Sequence, residues 1–412
     1  MTLTANALST DYPAGSEPIP SAQEMLARAQ DLVPELVGRQ HETEALALYS
    51  RDIHERFSQA GFYRMLVPRR YGGYQLGADT FFRVSMVLAR GCPSTGWMFS
   101  RGAIHALTAA SLFSERAQEE IFARGEFIAP ATLVPGGTAE RASDGGWLIN
   151  GIWANCAGAE YASHFIGHLM VDPPMGGPQL PMMFIAPRTE WRSLDDGDPQ
   201  LGLRGSGCQG IAIVNGRIPA YFALLGNELS DLHGAHGTPG SILHDDPEYS
   251  ASAFSYLVLE RASLAVGIAQ GALDAYEELI RSRKTLTAPI VDRYLDPDYQ
   301  YWYGEAIGLI ATAESALSDA IRRWTAACDG GRRLDRHDEL RLEAVCRHVI
   351  RLCWQSVERY LFPTAGVSAA RHGDRLERLW RDMSMIHSQS GFSMTTSTIA
   401  SRDLAKSRLG VR

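Results

Sequence analysis

The side chains that could carry chemistry fall in three short stretches. In CPSTGWMFSRGAIHAL, His105 follows Trp97 by eight residues. On a helix this spacing leaves the two side chains about 80° apart, so both can face one pocket. The second stretch, GIWANCAGAEYASHF, contains Cys156, Ala157 and Gly158. A third stretch, RDMSMIHSQSGFSM, contains His387, Gln389, Phe392 and Met394. A neutral imidazole can donate, accept or transfer a proton near pH 7, and the aromatic residues can wall an apolar pocket.

Two other kinds of site are not supported by the sequence. His164 and His168 have the spacing of metal ligands on a helix, but their segment reads as a strand, where they would lie about 13 Å apart. His233 and His236 lie in a glycine-rich loop without a ligand partner at a suitable spacing. LRGSGCQG does not follow a strand–helix unit, so we predict no metal site and no dinucleotide-binding fold.

Composition narrows the function classes further. The chain has 412 residues, is 45% hydrophobic and 21% charged, and has a formal net charge of -8. Without a basic run it has no electrostatic footprint for nucleic acid. Its six cysteines include no C-x-x-C pair, which favours a reducing compartment. The N-terminus lacks signal-peptide features, and the most apolar segment is interrupted by Glu260 and Arg261. We therefore expect a cytoplasmic protein with no membrane association.

Hydrophobic periodicity predicts an α+β fold of three regions. Residues 1–125 form a helical domain whose first twenty or so residues are a mobile tail. Its first helix begins at Ser21 with Glu24 at the capping-box position. A second helix is predicted to run to Gly61, and two more near 78–91 and 93–109.

The next two regions differ in the length and spacing of their apolar runs. Short apolar runs separated by Gly, Pro and Asn predict a β-domain over 126–235. Long helical segments then predict an antiparallel four-helix bundle within 236–412. These segments lie near 250–284, 299–328 and 336–361, and from about 374 onward.

Three motifs, in this order and spacing, resemble the acyl-CoA dehydrogenase superfamily. They are AGFYRMLVPRRYGGYQLG, GLRGSGCQGIAIVNGRIP and LERLWRDMSMI. The resemblance implies that fold, with a flavin between the β-domain and the bundle, and a homotetramer.

The catalytic base of a dehydrogenase is missing at its usual place. In the family a Glu follows the R-D pair by eight residues, whereas Asp382 is followed at that distance by Ser390. A Ser hydroxyl without a partner cannot remove a proton from carbon. Glu260 is a candidate for a relocated base, but Glu260 and Arg261 read equally well as an ion pair of the bundle.

Three stretches, CPSTGWMFSRGAIHAL, APATLVPGGTAERASDGGWLINGIW and RDMSMIHSQ, resemble the oxygenase halves of two-component flavin monooxygenases. This resemblance implies reduced FMN or FAD, O2, a flavin hydroperoxide and a separate NAD(P)H-flavin reductase. It assigns the polar roles to His105, His387 and Gln389, and the pocket walls to Phe392 and Met394. It assigns flavin contacts to Trp97, Thr132, Cys156, Ala157 and Gly158, and makes Arg283 a contact to the flavin phosphate of a neighbouring subunit.

One position departs from that subgroup. Ala157 stands where a Ser or Thr commonly contacts flavin N5, so a backbone N–H or Cys156 would have to replace it. The substrate is predicted to be a small, aromatic organic molecule, oxidised at carbon, sulfur or nitrogen. Three alternatives remain: an acyl-CoA dehydrogenase or oxidase with a relocated base, an amine N-oxygenase, and a flavin-free binding protein of the same fold.

Overall fold

A computed structural model describes residues 18–173, 176–194, 200–226, 237–250, 253–330 and 334–411, except for the side chains of 253–254 and 389–398. It confirms the predicted architecture of a helical N-terminal region, a small β-region and a C-terminal helical bundle. Within the described residues, no helix combines the length and the apolar character that crossing a membrane requires.

From residue 18 onward, seven α-helices build the N-terminal region: α1 (Ala22–Gly38), α2 (Gln40–Leu46), α3 (Arg51–Gln59), α4 (Ala78–Gly91), α5 (Pro93–Ala103), α6 (His105–Leu112) and α7 (Glu115–Ile121). The predicted capping box is confirmed: the Ser21 side chain accepts from the backbone N–H of Glu24, whose carboxylate accepts from the Ser21 N–H.

Two predicted helices are each divided in the structure. The helix predicted to end at Gly61 is α2 followed by α3, because Ala47 ends α2 in the left-handed conformation. The helix predicted over 93–109 is interrupted at Ile104, between α5 and α6. Apolar periodicity continues across both breaks, so it could not reveal them.

Among the described residues of the next region, seven antiparallel strands are present: β1 (Thr138–Arg141), β2 (Trp147–Ala157), β3 (His164–Val171), β4 (Leu180–Pro187), β5 (Arg192–Leu194), β6 (Cys208–Ile218) and β7 (Ala223–Leu225). They form one sheet in the order β1-β2-β6-β5 and a second in the order β3-β4-β7. Trp153, Phe165 and Phe184 pack edge to face between the two sheets. This aromatic core joins β2 of the first sheet to β3 and β4 of the second.

The C-terminal region contains α8 (Pro239–His244), α9 (Ala253–Ser282), α10 (Pro297–Asp329), α11 (Arg336–Gln355), α12 (Phe362–Thr364) and α13 (Arg375–Leu409). The four long helices α9, α10, α11 and α13 are the predicted bundle. α9 is buried along most of its length because it also packs against α4 and α5. This packing brings the N-terminal region, the β-region and the bundle together at one place.

Candidate active site

A cavity of about 500 Å³ opens where the three regions meet. Helix α5 contributes Trp97 and Arg101 to its lining, and α9 contributes Leu257 and Arg261. The opposite side comes from the β-region and from α13. Its described lining residues are Ala131, Leu133, Val134, Asn155, Ala157, Gln200, Leu203, Ser206, Cys208, Met385 and Ser388.

Helix α5 aligns its functional side chains along one face. Trp97 and Arg101 are one turn apart, and the Arg101 guanidinium lies 5.8 Å from the centre of the Trp97 ring. His105 comes one turn further on, at the start of α6. Trp97 lines the cavity with 8% of its surface exposed, whereas His105 is not among the described lining residues, so a common pocket for the two side chains stays a prediction.

Glu260 is tied to α5 and not to its neighbour in sequence. Its carboxylate is fully buried, and Nη1 of Arg101 donates to Oε2 at 3.1 Å. The Ser100 hydroxyl donates to the other carboxylate oxygen. The predicted pairing of Glu260 with Arg261 is wrong, because consecutive helical residues point about 100° apart and Glu260 faces α5. Both carboxylate oxygens of Glu260 are hydrogen-bonded, and Glu260 is not among the described residues that line the cavity.

His105 lies directly behind the wall formed by Arg101. It is only 4% exposed, and burial, followed by the nearby charge of Arg101, holds the pKa of His105 well below its usual value. Its Nδ1 lies 3.4 Å from the Thr108 hydroxyl, which bonds to the Tyr256 hydroxyl at 2.6 Å. Its Nε2 is buried without a hydrogen-bond partner. His105 is therefore a neutral imidazole with one nitrogen available.

A second imidazole, of the half-buried His168 on β3, also belongs to this region, although the sequence motifs did not assign it to the site. Its Nδ1 lies 2.7 Å from the carbonyl of Thr132, so Nδ1 must carry the proton and donate it. Burial lowers the pKa of His168, and its Nε2 also has no partner. His168 also lowers the pKa of His105, so the two rings are neighbours. In the sequence, His168 was notable only for its metal-like spacing from His164, which gave no indication that it lies near His105.

Thr132 itself contributes through its backbone. Its carbonyl accepts from His168, and its hydroxyl accepts from the N–H of Val134 at 3.3 Å. The neighbouring Ala131 and Leu133 line the cavity. Thr132 thus shapes the wall that the sequence analysis assigned to flavin contact.

The end of β2 forms the facing wall. The β2–β6 register shifts between Trp153 and Cys156, and Asn155 has a φ of 61°. This bulge turns Asn155 and Ala157 toward the cavity. The Cys156 thiol instead contacts the carbonyls of Trp153 and Ala154 at 3.6 and 3.7 Å. The contact of a backbone N–H or of Cys156 with flavin N5 stays a prediction.

Gly158 and Gly207 allow the strand ends to approach α5. Both have positive φ, and the N–H of Gly158 donates to the Gly207 carbonyl at 3.1 Å. A Cβ on Gly158 would lie 3.2 Å from the Met98 carbonyl oxygen. Gly158 therefore has a packing role beside the cavity.

Helix α13 presents Met385 and Ser388 to the cavity, and not His387. Residue 387 is turned about 200° from residue 385 around the helix axis. His387 stacks on Trp354 of α11, with ring centres 5.2 Å apart and planes at 15°. The structure does not bring His387 and His105 together in the cavity. The side chains of Gln389, Phe392 and Met394 lie outside the described residues.

Arg283 lies at the far end of α9, away from the cavity. It follows the last residue of the helix and donates a hydrogen bond to the Ser368 hydroxyl of the same chain. Its predicted contact with a neighbouring subunit remains a prediction.

The cavity suits a flavin ring in size and in chemistry. Its volume falls within the usual range of about 300–1,000 Å³ for ligand sites. Trp97, Leu257 and Met385 offer apolar surfaces, and Ser206 and Ser388 offer hydroxyl donors. The motifs did not assign Arg101, Arg261, Ser206 or Cys208 to the site, and Arg261 was considered only as an ion-pair partner of Glu260. Of these four residues, only Arg101 could have been predicted from local sequence, because it follows Trp97 by one helical turn.

Two models of one family match the chain. The acyl-CoA dehydrogenase N-terminal domain matches residues 20–124, and the acyl-CoA dehydrogenase C-terminal domain matches residues 259–394. Together with the three-region architecture and the position of the cavity, they show that the chain belongs to the acyl-CoA dehydrogenase superfamily.

Similar proteins within this superfamily are named as oxygenases or hydroxylases. The chain is 29% identical to the flavin-dependent monooxygenase oxygenase subunit HsaA of Rhodococcus jostii, over 87% of this chain and 91% of that protein. It is 23% identical to the oxygenase component of p-hydroxyphenylacetate 3-hydroxylase of Acinetobacter baumannii, over 91% and 87%. The solved structure of 3-HSA hydroxylase from Rhodococcus superposes with a TM-score of 0.83 at 27% identity, covering 94% of this chain and 97% of that chain.

Proposed function

We propose that the chain is the oxygenase component of a two-component, flavin-dependent monooxygenase that oxidises a small aromatic substrate. The observation that carries this proposal is the absence of a base among the described residues that line the cavity: none is Asp or Glu. Glu260, the candidate relocated base, has both carboxylate oxygens engaged. The names of the relatives, two oxygenase subunits and a hydroxylase, support the same function.

The chain's own residues would divide the work as follows. Reduced FMN or FAD, delivered by a separate NAD(P)H-flavin reductase, supplies the electrons that activate O2. Trp97, Leu257 and Met385 exclude water from the cavity, which limits unproductive release of H2O2. His105 is neutral and has a free Nε2, so it can hold or transfer a proton once a ligand reaches it.

The function is tested by separating the two half-reactions. Without O2, reduced FMN or FAD should bind and quench the fluorescence of the protein, since Trp97 lines the cavity. With a flavin reductase held behind a dialysis membrane, 4-hydroxyphenylacetate and a panel of other phenols should identify a product that takes one oxygen atom from labelled O2. Failure to bind either reduced flavin would favour a flavin-free binding protein. Bleaching of tightly bound oxidised flavin by an acyl-CoA would favour a dehydrogenase.

Association into a tetramer is part of the proposal. Large apolar side chains are exposed around the connection from α9 to α10: Leu286 at 86%, Ile290 at 58%, Leu295 at 55% and Tyr301 at 59%. Such a cluster is typical of an interface between subunits. Sedimentation velocity should therefore show a homotetramer. A stable monomer at micromolar concentration would contradict this and the cross-subunit role of Arg283.

A further inference from the structure

Two arginines face the cavity from the same wall. Arg101 projects from α5 and Arg261 from α9, and these helices pack against each other. The described lining of the cavity contains no carboxylate to match them. Any carboxylate that compensates these two positive charges must therefore lie outside the cavity lining.

Only one of the two arginines is compensated. Arg101 forms its ion pair with the buried Glu260. In the part of the chain that the structure describes, the one hydrogen bond of Arg261 runs from its Nε to the Leu257 carbonyl at 3.3 Å, and no ion pair includes it. The rest of its guanidinium group has donors to offer to a ligand.

The charges around Arg261 do not fully compensate its positive charge. Burial, and then the positive charge of Arg101, lowers the pKa of Arg261, while Glu260 and Glu343 act in the opposite direction. The net effect is unfavourable to the cation, although a guanidinium group stays protonated in proteins. A partly buried cation of this kind is stabilised by an anion that completes its hydrogen bonds.

We propose that Arg261 is a specificity-determining residue that binds a carboxylate on the aromatic substrate. Trp97, Leu257 and Met385 supply the apolar surfaces for the aromatic body, and the planar guanidinium group matches the two oxygens of a carboxylate. The inference rests on the proposed function, and it narrows the substrate class from small aromatic molecules to aromatic acids. The other possible source of the anion is the reduced flavin ring.

Titration calorimetry with two matched probes tests the inference. The probes are 4-hydroxyphenylacetate and its neutral carboxamide, each added to the flavin-free protein and to the protein loaded with reduced FMN without O2. A charge-assisted hydrogen bond contributes about 1.5–3 kcal/mol, so the carboxylate should bind about 10- to 100-fold more tightly than the amide. Arg261→Gln should abolish this preference and leave amide binding nearly unchanged. Arg261→Lys should restore part of it.

A control on the same helix separates a local effect from a general change in charge. Arg281 is exposed and pairs with Glu277, so Arg281→Gln should keep the preference for the carboxylate. The inference is overturned if the wild-type protein binds both probes equally. It is also overturned if Arg261→Gln weakens reduced-FMN binding but leaves the ratio between the probes unchanged, since the anion would then be the flavin. In both cases, intact binding of reduced flavin and labelled product from a neutral phenol would leave the proposed function standing.

Discussion

Replacing His105 by Ala should lower product formation by about 10²–10⁴-fold while reoxidation of the flavin continues. His105 has a buried, unpartnered Nε2 and lies one turn beyond Arg101, which lines the cavity. Loss of a group that transfers a proton to or from the substrate slows that step alone. It does not prevent O2 from meeting reduced flavin, so the variant should release H2O2 in place of product.

The measurement is the ratio of product to NADH consumed, with H2O2 determined in parallel. Because the pKa of His105 is lowered by burial, the imidazole stays neutral, and its titration should not appear in the pH profile between pH 6 and 8. His387→Ala is the matched control. His387 stacks on Trp354, so this variant should keep nearly full coupling. Full coupling in the His105 variant would refute its role, and uncoupling in the control alone would restore the original assignment to His387.

The contrast between these histidines shows what the sequence could and could not supply. Trp97 lines the cavity, whereas His105, which follows it by eight residues across the break at Ile104, is not among the described lining residues. Local spacing therefore placed Trp97 at the cavity and left the role of His105 a prediction. The orientation of α13 around its own axis depends on its packing against α11, where Trp354 receives His387. His387 lies only two positions after Met385, but this offset places the two side chains on nearly opposite sides of the helix.

The fold itself was predictable for a different reason. Changes between helical and alternating periodicity, together with three ordered motifs, identified the β-region and the bundle without any knowledge of contacts. The Arg101–Glu260 pair could not be found in this way, because it joins residues 159 positions apart. Adjacent residues of opposite charge suggested a local pair of Glu260 with Arg261. Tertiary packing instead pairs Glu260 with Arg101 and places Arg261 in the lining of the cavity.

Glu260→Ala should destabilise the protein by about 3–5 kcal/mol, because removal of one partner leaves a buried charge without compensation. Arg101 would lose its ion pair, and Ser100 would lose its buried acceptor. Arg101 would then add its uncompensated charge to that of Arg261 on the same wall. Glu260→Gln should have a smaller effect, since an amide oxygen can still accept from either neighbour.

Urea unfolding followed by intrinsic fluorescence measures this loss, at one protein concentration because an assembly couples folding to association. Glu55→Ala is the control: Glu55 pairs with Arg51, and both side chains are more than half exposed, at 56% and 62%. An exposed pair of this kind contributes about 0–1 kcal/mol. The two roles considered for Glu260 predict opposite patterns. A structural carboxylate gives low stability in Glu260→Ala and retained oxygenase activity in Glu260→Gln. A catalytic base would give normal stability in both variants and no turnover in either, which would return the chain to the dehydrogenases of its superfamily.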